Sequence, residues 1–113
     1  MHELAITQSM FDLVLEQAGK AGARKVSRIN LVIGEMTGVV GDCVRFYFDF
    51  ISKGTLAEGA ALSVETVPLK ARCWDCGKTY QPGEFDWDCP WCQGNSMEVI
   101  AGKELFVESI EVE

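Results

Sequence analysis

The sequence predicts an α+β protein: a small three-stranded mixed sheet with two helices on one face, and a four-cysteine module between the last two strands. Apolar residues recur at helical spacing in two segments and alternate as in strands in three others. Between residues 73 and 97 there is no leucine, isoleucine or valine, yet this segment holds four cysteines and all three tryptophans. This change in composition marks an inserted module.

The first two elements are predicted to be a helix over residues 4–18 and a strand over residues 25–33. Glycines at 19 and 22 are expected to end the helix. The apolar stripe of the helix is Leu4, Phe11, Val14, Leu15 and Ala18. Alternation places Ile29, Leu31 and Ile33 on one face of the strand.

A second helix is predicted over residues 43–53, with Asp42 as its N-terminal cap. Cys43 is expected to be a small buried hydrophobe. A second strand then runs from Leu62 to about Pro68. The buried stripe of the second helix is predicted to be Val44, Tyr47, Phe48 and Ile51.

A third strand is predicted over residues 103–112, with either a bulge or two buried faces at its start. The strand–helix–strand order predicts that the first two strands are parallel. The last two strands are expected to form a hairpin whose connection is replaced by the module. Residues 1–70 and 99–113 would then form one domain, and residues 71–98 a zinc-binding module.

The cysteine spacing is typical of a zinc site. Two Cys-x2-Cys pairs are separated by twelve residues, and each pair can form a tight knuckle. Four thiolates at the corners of a tetrahedron form a closed, structural zinc site. Metal binding would also explain how a segment without aliphatic residues can fold. The predicted ligands are Cys73, Cys76, Cys89 and Cys92.

Two other interpretations of the module remain open. Redox pairs usually lie at a helix start in a thioredoxin-like unit, which this sequence lacks. A rubredoxin-like electron carrier would hold iron in the same four-cysteine site, because tetrahedral sulfur ligation alone does not separate iron from zinc. Rubredoxins have a longer spacer between their cysteine pairs, so the spacing favours a zinc ribbon.

The N-terminal residues Met1, His2 and Glu3 offer several nitrogen donors within three residues. The α-amine and successive backbone nitrogens can close five-membered chelate rings on a metal, and the imidazole of His2 adds a further donor. Such nitrogen-rich sets suit square-planar Ni²⁺ or Cu²⁺. Taken alone, this tripeptide favours a frayed terminus with a histidine that binds nothing.

The charge balance excludes some functions. Lys and Arg total 10 against 17 for Asp and Glu, a net charge of −7, which opposes nucleic-acid binding through phosphates. No apolar run reaches the ~18 residues that would span a membrane, and the start lacks the basic region of a signal peptide. We therefore expect a cytoplasmic protein. No catalytic constellation is recognisable, so we expect no enzyme activity.

Taken in order, these motifs resemble the HypA/HybF family of hydrogenase nickel-incorporation proteins over nearly the whole chain. The resemblance rests on the opening Met1–Leu4, Ser9, Ile33–Glu35, Lys53–Ala60, the four-cysteine module and the closing Ser109–Val112. The stretch after Gly38 departs from the usual family pattern. Asp42 therefore has no assigned metal role, and its simpler interpretation is a helix cap. Glu35 fits the pattern but could equally be an ordinary exposed carboxylate.

The resemblance implies a nickel metallochaperone. His2 would be the main nickel ligand, assisted by the Met1 amine and by Glu3, while the four cysteines hold structural zinc. Expected partners are a HypB-type GTPase and the large subunit of [NiFe]-hydrogenase, with urease maturation factors as further candidates. An exposed strand edge or helix face could support a homodimer. The alternatives are a rubredoxin-like electron carrier and a zinc-ribbon interaction adaptor.

Overall fold

The computed structural model describes residues 3–82 and 87–113. In these ranges the chain forms two α-helices, α1 (Glu3–Lys20) and α2 (Gly41–Ile51), and a 3-10 helix of one turn at Glu35–Thr37. The strands are β1 (Val26–Gly34), β2 (Ala61–Val67), β3 (Lys70–Cys73), β4 (Thr79–Tyr80), β5 (Met97–Ala101) and β6 (Leu105–Val112). None of the described helices is both long enough and apolar enough to cross a bilayer.

The first sheet has the order β2–β1–β6. β1 is parallel to β2, as predicted, and antiparallel to β6. The predicted hairpin between the last two strands of this sheet is wrong, because β6 pairs with β1 instead of β2. The central position suits β1, whose Ile29, Leu31 and Ile33 are all buried, whereas no residue of the edge strands β2 and β6 is fully buried.

A bulge interrupts the pairing of β6 with β1. Asn30 pairs with Ser109 and Leu31 pairs with Val107, which leaves Glu108 as the extra residue. Of the two alternatives left open for the start of this strand, the bulge is confirmed. Leu105 and Phe106 are substantially exposed, so the start of β6 is not buried on both faces.

The main core lies between β1 and the two helices. Phe11 of α1 meets Phe48 of α2 edge to face, with ring centroids 5.9 Å apart. The Arg45 guanidinium donates to the Leu62 carbonyl and ties α2 to β2. The buried stripe of α1 differs from the predicted one, because Thr7 is buried and Leu4 is half exposed. The core is completed by Val14, Ala18, Val26, Ile29, Leu31, Ile33, Val44 and Ala57.

Two predictions at the start of α2 are wrong. The N-cap is Val40, which makes no side-chain capping bond, and Asp42 lies in the first turn. Cys43 is exposed because it faces away from the core residues Val44 and Phe48. Gly38, which has a φ of 71°, and Val39 lie between the preceding 3-10 turn (Glu35–Thr37) and Val40.

A second sheet, of order β4–β3–β5, was not anticipated. Its strands are short and contain few aliphatic residues, so they carry little periodic signal. The two sheets follow one another along a molecule of 55 × 25 × 17 Å. Its radius of gyration of 17.7 Å exceeds the about 13 Å typical of a compact chain of this length.

The backbone of the two sheets meets where β1 ends. Gly34 donates to the Glu104 carbonyl at 2.6 Å, and Met36 donates to the Gly102 carbonyl at 2.8 Å. The Glu104 carboxylate accepts a bond from the N–H of Gly102 at 2.8 Å. A Cβ on Gly34 would lie only 2.2 Å from the Gly102 oxygen, so this close approach requires glycine.

Candidate metal centres

The two cysteine pairs form knuckles with the same backbone pattern. In the first, Gly77 donates to the Cys73 carbonyl at 2.9 Å; in the second, Gln93 donates to the Cys89 carbonyl at 2.8 Å. The N–H of the first cysteine in each knuckle donates at 2.9 Å to the carbonyl five residues later, in Lys78 or Gly94. The sequence indicated this repeat through the two identical Cys-x2-Cys spacings.

The knuckles bring four sulfur atoms together. Cys73 Sγ lies 3.5 Å from Cys92 Sγ, and Cys76 Sγ lies 3.6 Å from Cys89 Sγ. All four ligand atoms lie within 4.8 Å of one another. A disulfide would need a distance of about 2.05 Å. A tetrahedral zinc–thiolate site with bonds of about 2.3 Å implies sulfur separations of about 3.8 Å. The cluster therefore fits one metal ion.

The thiols of the cluster differ in how easily they ionise, because neighbouring groups shift their pKa values in different directions. Removal from water raises the pKa of Cys89, but backbone N–H donors from Cys92 and Trp91 outweigh it and lower that pKa to about 7. The N–H of Gly94 lowers the pKa of Cys92, but the adjacent Cys73 thiol and desolvation dominate and raise it to about 12. The cluster therefore holds protons that a metal ion must displace.

The pKa of the Cys76 thiol is also raised. A backbone bond from Lys78 lowers it, and this effect is outweighed by desolvation and by the Cys89 and Cys73 thiols. Cys76 and Cys92 are the exposed second cysteines of the two knuckles, whereas Cys73 and Cys89 are buried. Each knuckle thus offers one buried and one accessible sulfur.

A small core supports the cluster. Ala71, Cys73, Tyr80 and Cys89 are buried together, with Met97 packed against them. The Tyr80 hydroxyl donates to the Trp87 carbonyl at 2.6 Å and so links β4 to the segment that leads into the second knuckle. These few residues give the unit little apolar surface with which to stabilise its own fold.

The tryptophans do not fill this core. Trp74 and Trp91 are each 62% exposed and Trp87 is 37% exposed, so none of the three is buried. Lys78 Nζ lies 4.6 Å from the centre of the Trp91 ring, a cation–π contact across the two knuckles.

The predicted N-terminal site is only partly within the described residues. Met1 and His2 lie outside them, whereas Glu3 is half-buried and begins α1. The Glu3 carbonyl accepts a 2.6 Å bond from the hydroxyl of the buried Thr7. Glu35 and Asp42 are exposed carboxylates near the end of β1 and the start of α2.

Gln93 is a residue of the site that the sequence analysis missed. It is the one non-glycine residue with positive φ, at 60°, in the described part of the chain. Gly77, at the same offset from its own knuckle, has φ of 76°. Aligning the two knuckles by their cysteines would have revealed this position, because both occupy the residue after the second cysteine.

Comparisons with known proteins agree with this architecture. The family model described as "Hydrogenase/urease nickel incorporation, metallochaperone, hypA" matches residues 1–112. The hydrogenase maturation factor HypA of Dehalococcoides mccartyi is 50% identical over 113 residues, which cover all of this chain and 95% of that protein. The hydrogenase maturation factor HybF of Salmonella typhimurium is 40% identical, with full coverage of both chains.

A solved structure shows the same fold. The solution structure of the Ni metallochaperone HypA from Helicobacter pylori matches with a TM-score of 0.67 and 25% identity, covering 99% of this chain and 97% of that one. The family model covers residues 1–112, a range that includes both α-helices and the four cysteines of the cluster. The chain belongs to the HypA family of hydrogenase and urease nickel-incorporation metallochaperones.

Proposed function

We propose that this protein binds Ni(II) at its N-terminus and helps to insert it into the large subunit of [NiFe]-hydrogenase during maturation. The family match over residues 1–112 is the observation that carries this proposal. The nickel ligands would be His2, the Met1 amine and Glu3. The protein would act as a carrier without enzymatic activity, in the cytoplasm.

The start of α1 at Glu3 supports a site at this terminus. The first N–H groups of a helix have no intrahelical acceptor. A backbone nitrogen there can lose its proton to a metal without the loss of a helical hydrogen bond. The positive end of the helix dipole also favours negatively charged ligand atoms. A terminal chelate can exchange its ligands one at a time, which suits a site that must release its metal.

The four cysteines would hold structural zinc. Residues 1–70 and 99–113 would form the nickel-binding domain and residues 71–98 the zinc module, although the second sheet itself extends from Lys70 to Ala101. A site closed by four thiolates suits a structural role and not the transfer of its metal ion. Elemental analysis tests this assignment, since one zinc per chain supports it and stoichiometric iron would indicate the rubredoxin-like alternative.

The proposed partners are a HypB-type GTPase and the hydrogenase large subunit, with urease maturation factors as further recipients and a homodimer as one assembly. Nucleic acid and membranes are not proposed partners, since the net charge is −7. Among the described residues, β2 and β6 form the outer edges of the first sheet, and a second copy could pair with either edge.

The test is a nickel titration by calorimetry on untagged, zinc-loaded protein. We expect one Ni²⁺ at micromolar strength or tighter for the unmodified chain, and loss of that site in His2→Ala with zinc retained. One extra residue before Met1 should also abolish the site, because it displaces the terminal amine. Cys43→Ser controls for adventitious binding to the exposed thiol and should bind nickel normally. Equal binding by wild type and His2→Ala would overturn the proposal.

A further inference from the structure

We propose that Thr7 is a positioning residue for the N-terminal nickel site. Its buried hydroxyl would hold the Glu3 peptide in the first turn of α1. The backbone nitrogen of Glu3 would thereby stay in position to coordinate the metal. This inference rests on the proposed function, because it concerns the same site. Thr7 itself would not touch the metal.

The burial of Thr7 is unusual for its type. Thr7 is 2% exposed and lies on the same face of α1 as Phe11 and Val14. A hydroxyl removed from water costs free energy unless it is hydrogen-bonded. Here Oγ1 donates to the Glu3 carbonyl at 2.6 Å. The core therefore anchors Thr7, and Thr7 in turn anchors Glu3.

The anchored residue, Glu3, is itself one of the proposed nickel ligands. Helix ends fray because their terminal groups lack partners. A second bond to the Glu3 carbonyl, beyond the ordinary helical one, opposes fraying at the point where the terminal chelate begins. Holding a ligand atom before the metal arrives reduces the ordering cost of binding and so raises affinity. The tether leaves the N–H of Glu3 itself free.

A purely structural role gives a different expectation. Threonine hydroxyls often bond back to the carbonyl four residues earlier in helices that have no ligand. Loss of that bond would then lower stability and leave nickel binding unchanged. The two roles are separable because nickel affinity, its pH dependence and the visible spectrum of the complex report on the site and not on the fold.

The experiment compares Thr7→Val, which keeps the shape and removes the hydroxyl, with Thr7→Ser, which keeps the hydroxyl. Val14→Ala is the matched control, since it weakens the same buried face two turns beyond Thr7 and about three turns from Glu3. The readouts are competition titration with Ni²⁺, the pH midpoint of binding and the absorption spectrum, on untagged protein with zinc content checked. We expect Thr7→Val to bind nickel about fivefold more weakly, the approximate effect of one hydrogen bond.

The expected pattern also includes a higher pH midpoint for Thr7→Val, near-normal binding for Thr7→Ser, and normal affinity for the less stable Val14→Ala. Unchanged affinity and midpoint in Thr7→Val would overturn the positioning role, and so would an equal loss in Val14→Ala. His2→Ala, run in parallel, separates the two proposals. If it binds like wild type, the N-terminal site and the role of Thr7 both fail; if it loses nickel while Thr7→Val does not, only the role of Thr7 fails.

Discussion

Gly77 and Gln93 occupy equivalent positions in the two knuckles. Both have left-handed backbone conformations, with φ of 76° and 60°, and each donates its N–H to the carbonyl of the first cysteine in its knuckle. Only one of the two is a glycine, although the turn requires the same conformation from both. The second knuckle therefore carries conformational strain that the first avoids.

This asymmetry predicts opposite effects of two substitutions. Gln93→Gly should stabilise the metal-loaded protein by about 0.5–1 kcal/mol, since glycine relieves the left-handed strain but adds entropy to the unfolded chain. Gly77→Ala should destabilise the protein by about 1–2 kcal/mol, because a residue with a Cβ is strained in the left-handed conformation. No atom lies within 4 Å of the added Cβ, so a steric clash does not contribute. Denaturant unfolding at fixed zinc measures both. Equal effects in the two knuckles would contradict the assigned geometry.

The junction of the two sheets predicts a strong effect at Gly34. In Gly34→Ala the new Cβ would lie 2.2 Å from the Gly102 carbonyl oxygen and 2.6 Å from the Glu104 nitrogen, both backbone atoms that cannot move alone. We expect a loss of about 3 kcal/mol or more, or displacement of the second sheet. Thermal unfolding would measure the loss of stability, and small-angle scattering would detect displacement of the second sheet.

Gly19→Ala is the control for the substitution at Gly34. Gly19 lies in the last turn of α1 with nothing within 4 Å of an added Cβ. Alanine should therefore stabilise the helix by up to about 1 kcal/mol. A similar loss of stability in both variants would show that the contact between Gly34 and Gly102 is not the cause.

Two phenylalanines of α2 should respond very differently to truncation. Phe48 is 4% exposed and packs against Phe11, whereas Phe50, two residues later, is 72% exposed. Phe48→Ala should cost about 3–5 kcal/mol, and Phe50→Ala should stay within about 0.5 kcal/mol of wild type. Chemical denaturation of the two variants gives this comparison directly. A large loss for Phe50→Ala would mean that its side chain is covered in solution, for example by a second copy.

The thiol pKa values predict how metal binding depends on pH. With a pKa of about 12 for Cys92 and a raised pKa for Cys76, both thiols are protonated at pH 7 in the metal-free protein. Binding of zinc must displace these protons, so its apparent affinity should rise by at least about a hundredfold per pH unit near neutrality. Below the Cys89 pKa of about 7 a further proton competes, and the dependence should steepen.

The consequence for stability has a definite sign. Bound metal keeps the thiols ionised, so its contribution is present at neutral and alkaline pH and is lost as the pH falls. Without metal the raised pKa of Cys92 has the opposite effect: its contribution is present at low pH and is lost as the pH rises above the ordinary thiol range. Competition with a coloured zinc chelator at pH 6, 7 and 8 provides the test. An affinity that is independent of pH would be incompatible with thiolate ligation.

Local patterns in the sequence were sufficient for most of the first sheet and its helices. The alternation of Ile29, Leu31 and Ile33 correctly identified the buried face of β1, because side-chain direction along a strand depends only on residue parity. The cysteine spacing likewise indicated two knuckles, since each is a turn closed within six residues. The family match over residues 1–112 confirmed the resemblance to the HypA/HybF family.

Tertiary structure decided what depends on residues far apart in the chain. β6 pairs with β1, whose partner residues lie about eighty positions away, and the bulge at Glu108 follows from that pairing. The exposure of Cys43, Trp74 and Trp91 and the burial of Thr7 likewise depend on which elements pack together. The sequence by itself determined which residues can form helices, strands and a thiolate cluster. Only packing determined their neighbours, because burial is shared between distant segments and is not a property of any one of them.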